Sequence, residues 1–175
     1  MKTVYLSLGS NLGDRAERLR EALRLLEEGG LRVRRISPVY ETEPQDLRDQ
    51  PWFLNLVAEV ETELFPRQML ARIQSIEWKM GRRRSRPKGP REIDIDVLLY
   101  GSMVLRMPEL TVPHPRMSER RFVLQPLADL APELRHPVSG RTILELLAEI
   151  RGQTVRQVGP LPYEAGNTGG AAGVS

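Results

Sequence analysis

The hydrophobic period of this chain switches between two and 3.6 residues in an order that few folds accommodate. Residues 3–8, Thr-Val-Tyr-Leu-Ser-Leu, read as a first strand, closed by Gly9-Ser10-Asn11-Leu12-Gly13. Ala16, Leu19, Leu23 and Leu26 then recur at spacings of three and four, the stripe of an amphipathic helix. Asp14 stands near its start and Gly29-Gly30 at its end. Residues 31–43 read as a second strand, broken or bulged near Pro38. Residues 53–62 read as a third, with Leu54, Leu56, Ala58 and Val60 on one face and Phe53, Asn55, Val57, Glu59 and Glu61 on the other. Pro66 opens a second helix with Met69, Leu70, Ile73, Ile76 and Met80 as its buried stripe. Residues 92–100 return to period two as a fourth strand.

The resulting order, β-α-β-β-α-β, is the ferredoxin-like pattern of an α+β fold, an antiparallel sheet with helices packed on it. A C-terminal extension follows. It has a short strand near Val104-Leu105, helical segments around 120–130 and 142–150, and a last strand over Thr154–Val158. Residues 1–162 are expected to form a single domain. Residues 163–175, rich in Gly and Ala with no large apolar side chain after Tyr163, are expected to be a flexible tail. Two connections, Pro44–Trp52 and Gly81–Pro90, are long for a compact fold, and such loops often serve as lids.

The richest chemistry lies in Gly89-Pro90-Arg91-Glu92-Ile93-Asp94-Ile95-Asp96. On a strand, Asp94 and Asp96 share one face, roughly 6–7 Å apart. Like charges at that spacing repel and favour a cation between them. Hard carboxylates suit Mg²⁺, which is commonly held by one or two of them together with substrate phosphates. Alone, an Asp-x-Asp pair fits a solvated acidic face equally well. Just upstream, however, residues 82–91 carry six of the 26 Lys+Arg and none of the 23 Asp+Glu. The remaining chain holds 20 basic and 23 acidic residues, so the net charge of +3 belongs to one loop rather than to a broad face. A local cluster of that kind fits a compact polyanion such as ATP better than a long nucleic-acid backbone.

Other segments are weaker alone. Gly9–Gly13 lies between a strand and a helix as a phosphate loop would, but it lacks the lysine and hydroxyl of a P-loop and reads first as a capped turn. Phe53 and Asn55 set a ring for stacking and an amide for edge recognition on one strand face. His114, between Pro113 and Pro115, fits either phosphate contact, proton transfer or a structural role. Arg120 and Phe122 follow on a segment able to close over the same site. The chain has no cysteine, and its apolar N-terminal stretch is too short for a signal peptide or a membrane span, so a cytoplasmic protein is expected.

Gly9–Gly13, Tyr40–Pro44, Asp49–Asn55, Gly89–Asp96 and Val112–Met117 occur in order and at the right spacing to resemble the 6-hydroxymethyl-7,8-dihydropterin pyrophosphokinases of folate biosynthesis, over about residues 1–160. That resemblance implies transfer of the β,γ-diphosphate of ATP to the pterin hydroxymethyl group, with release of AMP. It implies that Asp94 and Asp96 hold two Mg²⁺ ions, with Arg82 and Arg91 also catalytic. ATP would meet Leu70, Gln74, Glu77, Arg82, Arg84, Lys88, Arg91, Val97, Thr111, His114 and Arg120. The pterin would lie between Phe53 and Phe122, with Gly9, Thr42, Glu43, Gln45 and Asn55 around its edge. Lys88, Pro115 and Glu43 depart from residues that some members carry, Trp, Tyr and Pro respectively.

The expected partners are these two small molecules, with neither nucleic acid nor membrane, and a monomer is expected. The rival reading from another class is a ferredoxin-like module for single-stranded RNA. It requires aromatic residues on the central strands, where only Tyr5 and Phe53 stand and no RNP pattern occurs. From the tail's composition, deletion of residues 164–175 is expected to leave melting temperature and AMP formation unchanged. A clear loss of melting temperature in the shortened chain would show that the segment docks.

Overall fold

The computed structural model describes residues 1–43, 49, 51–81 and 92–163. Its elements are β1 (Lys2–Ser10), α1 (Arg15–Glu28), β2 (Leu31–Ile36), β3 (Val39–Thr42), β4 (Phe53–Thr62), α2 (Pro66–Lys79), β5 (Asp94–Tyr100), β6 (Leu105–Arg106), β7 (Thr111–Val112), α3 (Arg121–Leu130), α4 (Ile143–Ala148) and β8 (Val155–Gly159). A 3-10 turn at Met117–Glu119 precedes α3. The sheet runs β5-β1-β4-β3-β8, with β2 also paired to β4. All its pairings are antiparallel. This is the ferredoxin-like core with β8 added at one edge.

Local chemistry accounts for the boundaries. The Asp14 carboxylate accepts the Glu17 N–H at 3.1 Å and caps α1, and Gly29 ends the helix. Gly30, at φ +91°, turns the chain into β2, a conformation costly for any residue with a Cβ. At Pro38 the expected long second strand divides. β2 pairs with the far half of β4 and β3 with its near half. Ser37 fills the break: its N–H donates to the Val57 carbonyl at 2.9 Å and its hydroxyl accepts the Val57 N–H at 2.9 Å. The expected short strand near Val104 is half of a small hairpin, in which Leu105 faces Val112 and Arg106 faces Thr111.

The two faces of the sheet have different fates. Val4, Leu6, Leu8, Leu54, Leu56, Ala58, Val60, Ile95 and Val97 pack under α1 and α2 as the main core. On the opposite face, Tyr5, Val57 and Leu98 pack under α3 and α4. By alternation along the strands, Gly9, Asn55 and Asp94 lie on this second face, at the end of β1 away from Tyr5. Tyr163, where the sequence reading begins the tail, packs against the main core beside buried Leu161. Its phenol is pushed up to about 12, first by burial and then by Glu27.

Among the described residues β5 is an edge strand, paired on one side with β1. Its outer edge is nevertheless used. The Glu77 carboxylate on α2, 8% exposed, accepts the Ile95 N–H at 3.0 Å, and the His114 N–H donates to the Leu98 carbonyl at 2.9 Å. Glu77→Ala leaves the Ile95 N–H buried and unsatisfied, which costs about 1–3 kcal/mol. The expected result is a melting temperature lower by several degrees, with Glu77→Gln recovering most of the loss because it keeps an acceptor.

Candidate active site

The antiparallel register assembles the site in rows. Gly9 on β1 faces Asp94 on β5 and Asn55 on β4, and Asn55 faces Tyr40 on β3. Cross-strand partners share a face, so Asp94, Gly9, Asn55 and Tyr40 form one line across four strands. The next row pairs Asp96 with Ser7 and Ser7 with Val57. A third pairs Phe53 with Thr42. The carboxylate pair, the ring and the amide thus occupy one end of one sheet face.

The middle of that line is built around a missing side chain. A Cβ on Gly9 would lie 2.6 Å from Asn55 Oδ1 and 3.3 Å from Phe53 Cδ1. Glycine lets the Asn55 amide lie flat over β1. The amide is 4% exposed and donates through Nδ2 to the Thr42 hydroxyl at 2.6 Å. That bond fixes its orientation and leaves its oxygen and second N–H for an edge that offers a donor beside an acceptor. The Phe53 ring beside it is half-buried.

Asp94 and Asp96 are both partly exposed at the other end. Arg120 approaches Asp96 at 3.9 Å, and its guanidinium lies 5.4 Å from the Phe122 ring centre. His114 sits nearby. Its Nδ1 accepts the Arg116 N–H at 3.1 Å, so its remaining nitrogen carries the proton and acts as a donor. Its pKa is lowered to about 4, first by burial and then by Arg120 and Arg116, with Asp94 opposing. Near neutral pH it is therefore an uncharged donor between two arginines and a carboxylate.

α2 supplies a third wall. Leu70, Gln74 and Glu77 follow one another at spacings of four and three, one stripe of the helix. Glu77 ties the end of that stripe to β5, while Arg67 pairs with Glu109 at 3.1 Å and ties the start of α2 to the β6–β7 hairpin that carries Thr111. Leu70 and Thr111 are half-buried and Gln74 is exposed. Val97 is buried in the core cluster against which Leu70 of α2 also packs. Glu43 is exposed beyond the end of β3. Gln45, Arg82, Arg84, Lys88 and Arg91 lie outside the described residues, as do most of the two expected lid loops. The basic loop's described flanks do meet: a Cβ on Gly81 would lie 3.2 Å from the Glu92 carboxylate.

Sequence reasoning missed Ser7 and Arg116. Alternation along β1 places Ser7 with Gly9, and it pairs with Asp96 only once the register is known. Arg116 belongs to the same short motif as His114, and its proximity there was the available signal. Among the described residues no group of three or more His, Cys, Asp or Glu could hold a metal ion. Two carboxylates on one strand face fit a cation completed by substrate oxygens rather than a closed protein cage. Also among them, no helix is long and apolar enough to cross a membrane.

Comparison with known proteins places this arrangement. The family model for 7,8-dihydro-6-hydroxymethylpterin-pyrophosphokinase matches residues 5–132. The chain is 46% identical over 149 residues to the 2-amino-4-hydroxy-6-hydroxymethyldihydropteridine pyrophosphokinase of Pseudomonas aeruginosa, covering 85% of this chain and 91% of that one. It is 46% identical over 156 residues to a folic acid synthesis protein of Schizosaccharomyces pombe, covering 89% of this chain but 21% of that much longer protein. Against Pneumocystis carinii it is 40% identical over 163 residues and again spans only 22% of the relative. In fold it resembles the wild-type Plasmodium falciparum HPPK-DHPS crystallised with pteroate, at a TM-score of 0.71 and 21% identity over 85% of this chain and 42% of that one. With a matched segment that runs from β1 through α3 and includes the Asp94–Asp96 strand, the chain belongs to the 7,8-dihydro-6-hydroxymethylpterin-pyrophosphokinase family.

Proposed function

We propose that this chain transfers the β,γ-diphosphate of ATP to the hydroxymethyl group of 6-hydroxymethyl-7,8-dihydropterin and releases AMP. The observation that carries the reading is the single row in which Asp94 and Asn55 flank Gly9. It sets a carboxylate suited to phosphate-bound cations beside a pocket suited to the edge of a flat heterocycle. The family assignment and the names of the full-length bacterial relatives support it.

In this reading the pterin stacks on Phe53 and Phe122 while the Asn55 amide, held by Thr42, reads its edge. ATP lies along the Leu70-Gln74 stripe and Thr111, with its phosphates toward Asp94 and Asp96. Those two carboxylates would hold the two Mg²⁺ ions this reading calls for, and the ions would supply charge stabilisation to the phosphate oxygens. His114 donates to a phosphate oxygen as a neutral group, and Arg120 adds positive charge from the Phe122 side. The hydroxymethyl oxygen attacks the β-phosphorus in line as its proton passes to solvent, and AMP departs with the electron pair of the broken bond between the α-phosphate oxygen and the β-phosphorus. Arg82 and Arg91, with Arg84 and Lys88, offset the charge that spreads over the transferred group. The work asked of the residues is positioning and electrostatics, and no side chain is assigned as general base.

We further take the chain to act as a cytoplasmic monomer without nucleic acid or membrane. The RNA-binding alternative lacks support: on the open face β1 presents Ser7 and Gly9, and Tyr5 donates to Glu59 at 2.6 Å and packs in the α3–α4 cluster. Incubation with ATP, Mg²⁺ and the reduced hydroxymethylpterin tests the activity directly. Stoichiometric AMP and pterin diphosphate are expected, and formation of ADP or no turnover would refute it.

Two sets of variants test the site. Asp94→Ala and Asp96→Ala remove partly exposed strand carboxylates, so folding should survive while turnover falls about a thousandfold or more. Near-normal AMP formation by either folded variant would exclude the metal role. Gly9→Ala places a Cβ against the Asn55 amide and the Phe53 ring. It should weaken the pterin by roughly 1–3 kcal/mol, as Phe53→Ala and Asn55→Ala should, while ATP affinity stays within about twofold. Equal losses for both ligands by calorimetry would mean that the pocket is misplaced.

A further inference from the structure

Two side chains near the start of α1 reach the same short stretch of backbone far away in sequence. Asn11, 1% exposed, donates through Nδ2 to the Pro51 carbonyl at 3.0 Å. Arg15, in the first turn of α1, donates through its guanidinium to the Trp52 carbonyl at 2.9 Å. The same guanidinium pairs with Glu41 at 3.3 Å, and Glu41 is bonded from its other side by Arg156 of β8. Consecutive carbonyls, Pro51 and Trp52, are thus held by two different side chains from one capped turn.

The residues next to these held atoms belong to the heterocycle pocket. Trp52 precedes Phe53, Glu41 precedes Thr42, and Phe53 and Thr42 are cross-strand partners. We propose that Asn11 and Arg15 are positioning residues for that pocket: they fix the Pro51–Trp52 backbone against the β1–α1 turn and so set where Phe53 and Asn55 meet the heterocycle. The proposal rests on the pterin reading above.

A surface ion pair alone would carry little, and the Arg15–Glu41 contact is partly exposed. The backbone bonds carry more. A guanidinium or amide donating to a carbonyl fixes main chain rather than another flexible side chain, and the guanidinium bond is charge-assisted. Asp14 caps α1 and Asn11 is buried, so the anchor itself is rigid. Reacting groups displaced by about 1 Å lose much of the benefit of orientation, so a held approach to Phe53 bears on turnover although neither residue touches substrate.

Arg15→Ala, Asn11→Ala and the double variant are to be compared with wild type by three measurements. The first, amide exchange over residues 52–55, needs no turnover. It should quicken in each variant while exchange at Leu6 and Leu8 in the central strand stays unchanged. The second is the pair of KM values. That for the hydroxymethylpterin should rise roughly five- to tenfold in Arg15→Ala, about the size of one ordinary net hydrogen bond because the effect reaches the ligand only through the backbone, with KM for ATP unchanged. The third is rescue: Arg15→Lys keeps the charge opposite Glu41 but has no planar fork for the Trp52 carbonyl, so it should recover only part of the loss.

Unchanged exchange at 52–55, or equal rises in both KM values, would overturn the proposal. So would full recovery by Arg15→Lys, which would assign the effect to charge alone. If burial makes Asn11→Ala unfold, Arg15→Ala at the helix surface decides the matter. Absence of AMP formation by wild type would refute the activity proposed above but would leave the exchange result standing, so the two failures are separable.

Discussion

Two carboxylates on one face of a rigid strand repel, and the fold must hold them together against that repulsion. It does so with β5, whose alternation leaves Asp94 and Asp96 no route to opposite faces unless the register slips. The inner side of β5 is bonded to β1. Its outer side is bonded by Glu77 and by the main chain at His114. Ile95 and Val97, between and beside the aspartates, are buried in the core beneath α1 and α2. Slippage would expose those residues and bury the charges, and burying an unpaired charge is far more costly than maintaining like-charge repulsion at a partly solvated edge. The site is thus a place where local electrostatic strain is offset by the hydrophobic core under it.

β1 carries the consequence across the sheet. It lies between β5 and β4, and a side chain at Gly9 would strike the Asn55 amide and the Phe53 ring of β4. Asp94 on β5 and Asn55 on β4 are therefore two strand spacings apart, about 10 Å, with no side chain on Gly9 between them. Arg120, at the start of α3, reaches Asp96 at 3.9 Å and holds its guanidinium over the Phe122 ring.

Most of this architecture could be read from the residues because it rests on period. The third strand was expected over 53–62 and spans Phe53–Thr62, and Asp14 and Gly29 do cap and end α1. Asn55 and Phe53 were placed on one face by alternation alone. What escaped depends on contacts distant in sequence. Nothing in the helical stripe of α2 distinguishes a Glu77 that faces a ligand from one whose carboxylate serves an edge amide of β5. The split at Pro38 was visible, but not that Ser37 would substitute for the missing ladder, since its partner Val57 lies on another strand.

The bonds along the outer side of β5 also bear on self-association. An open strand edge is a template on which another chain can add its own strand. On β5 the Ile95 N–H and the Leu98 carbonyl, the groups a newcomer would need, are already occupied. At the far side of the sheet, β8 covers β3 and presents exposed Arg156 and Gln157 before ending at Gly159-Pro160, where proline offers no N–H. The groups that hold β5 in place thus also discourage the sheet from growing, so the same few atoms fix the register of the strand and close its edge.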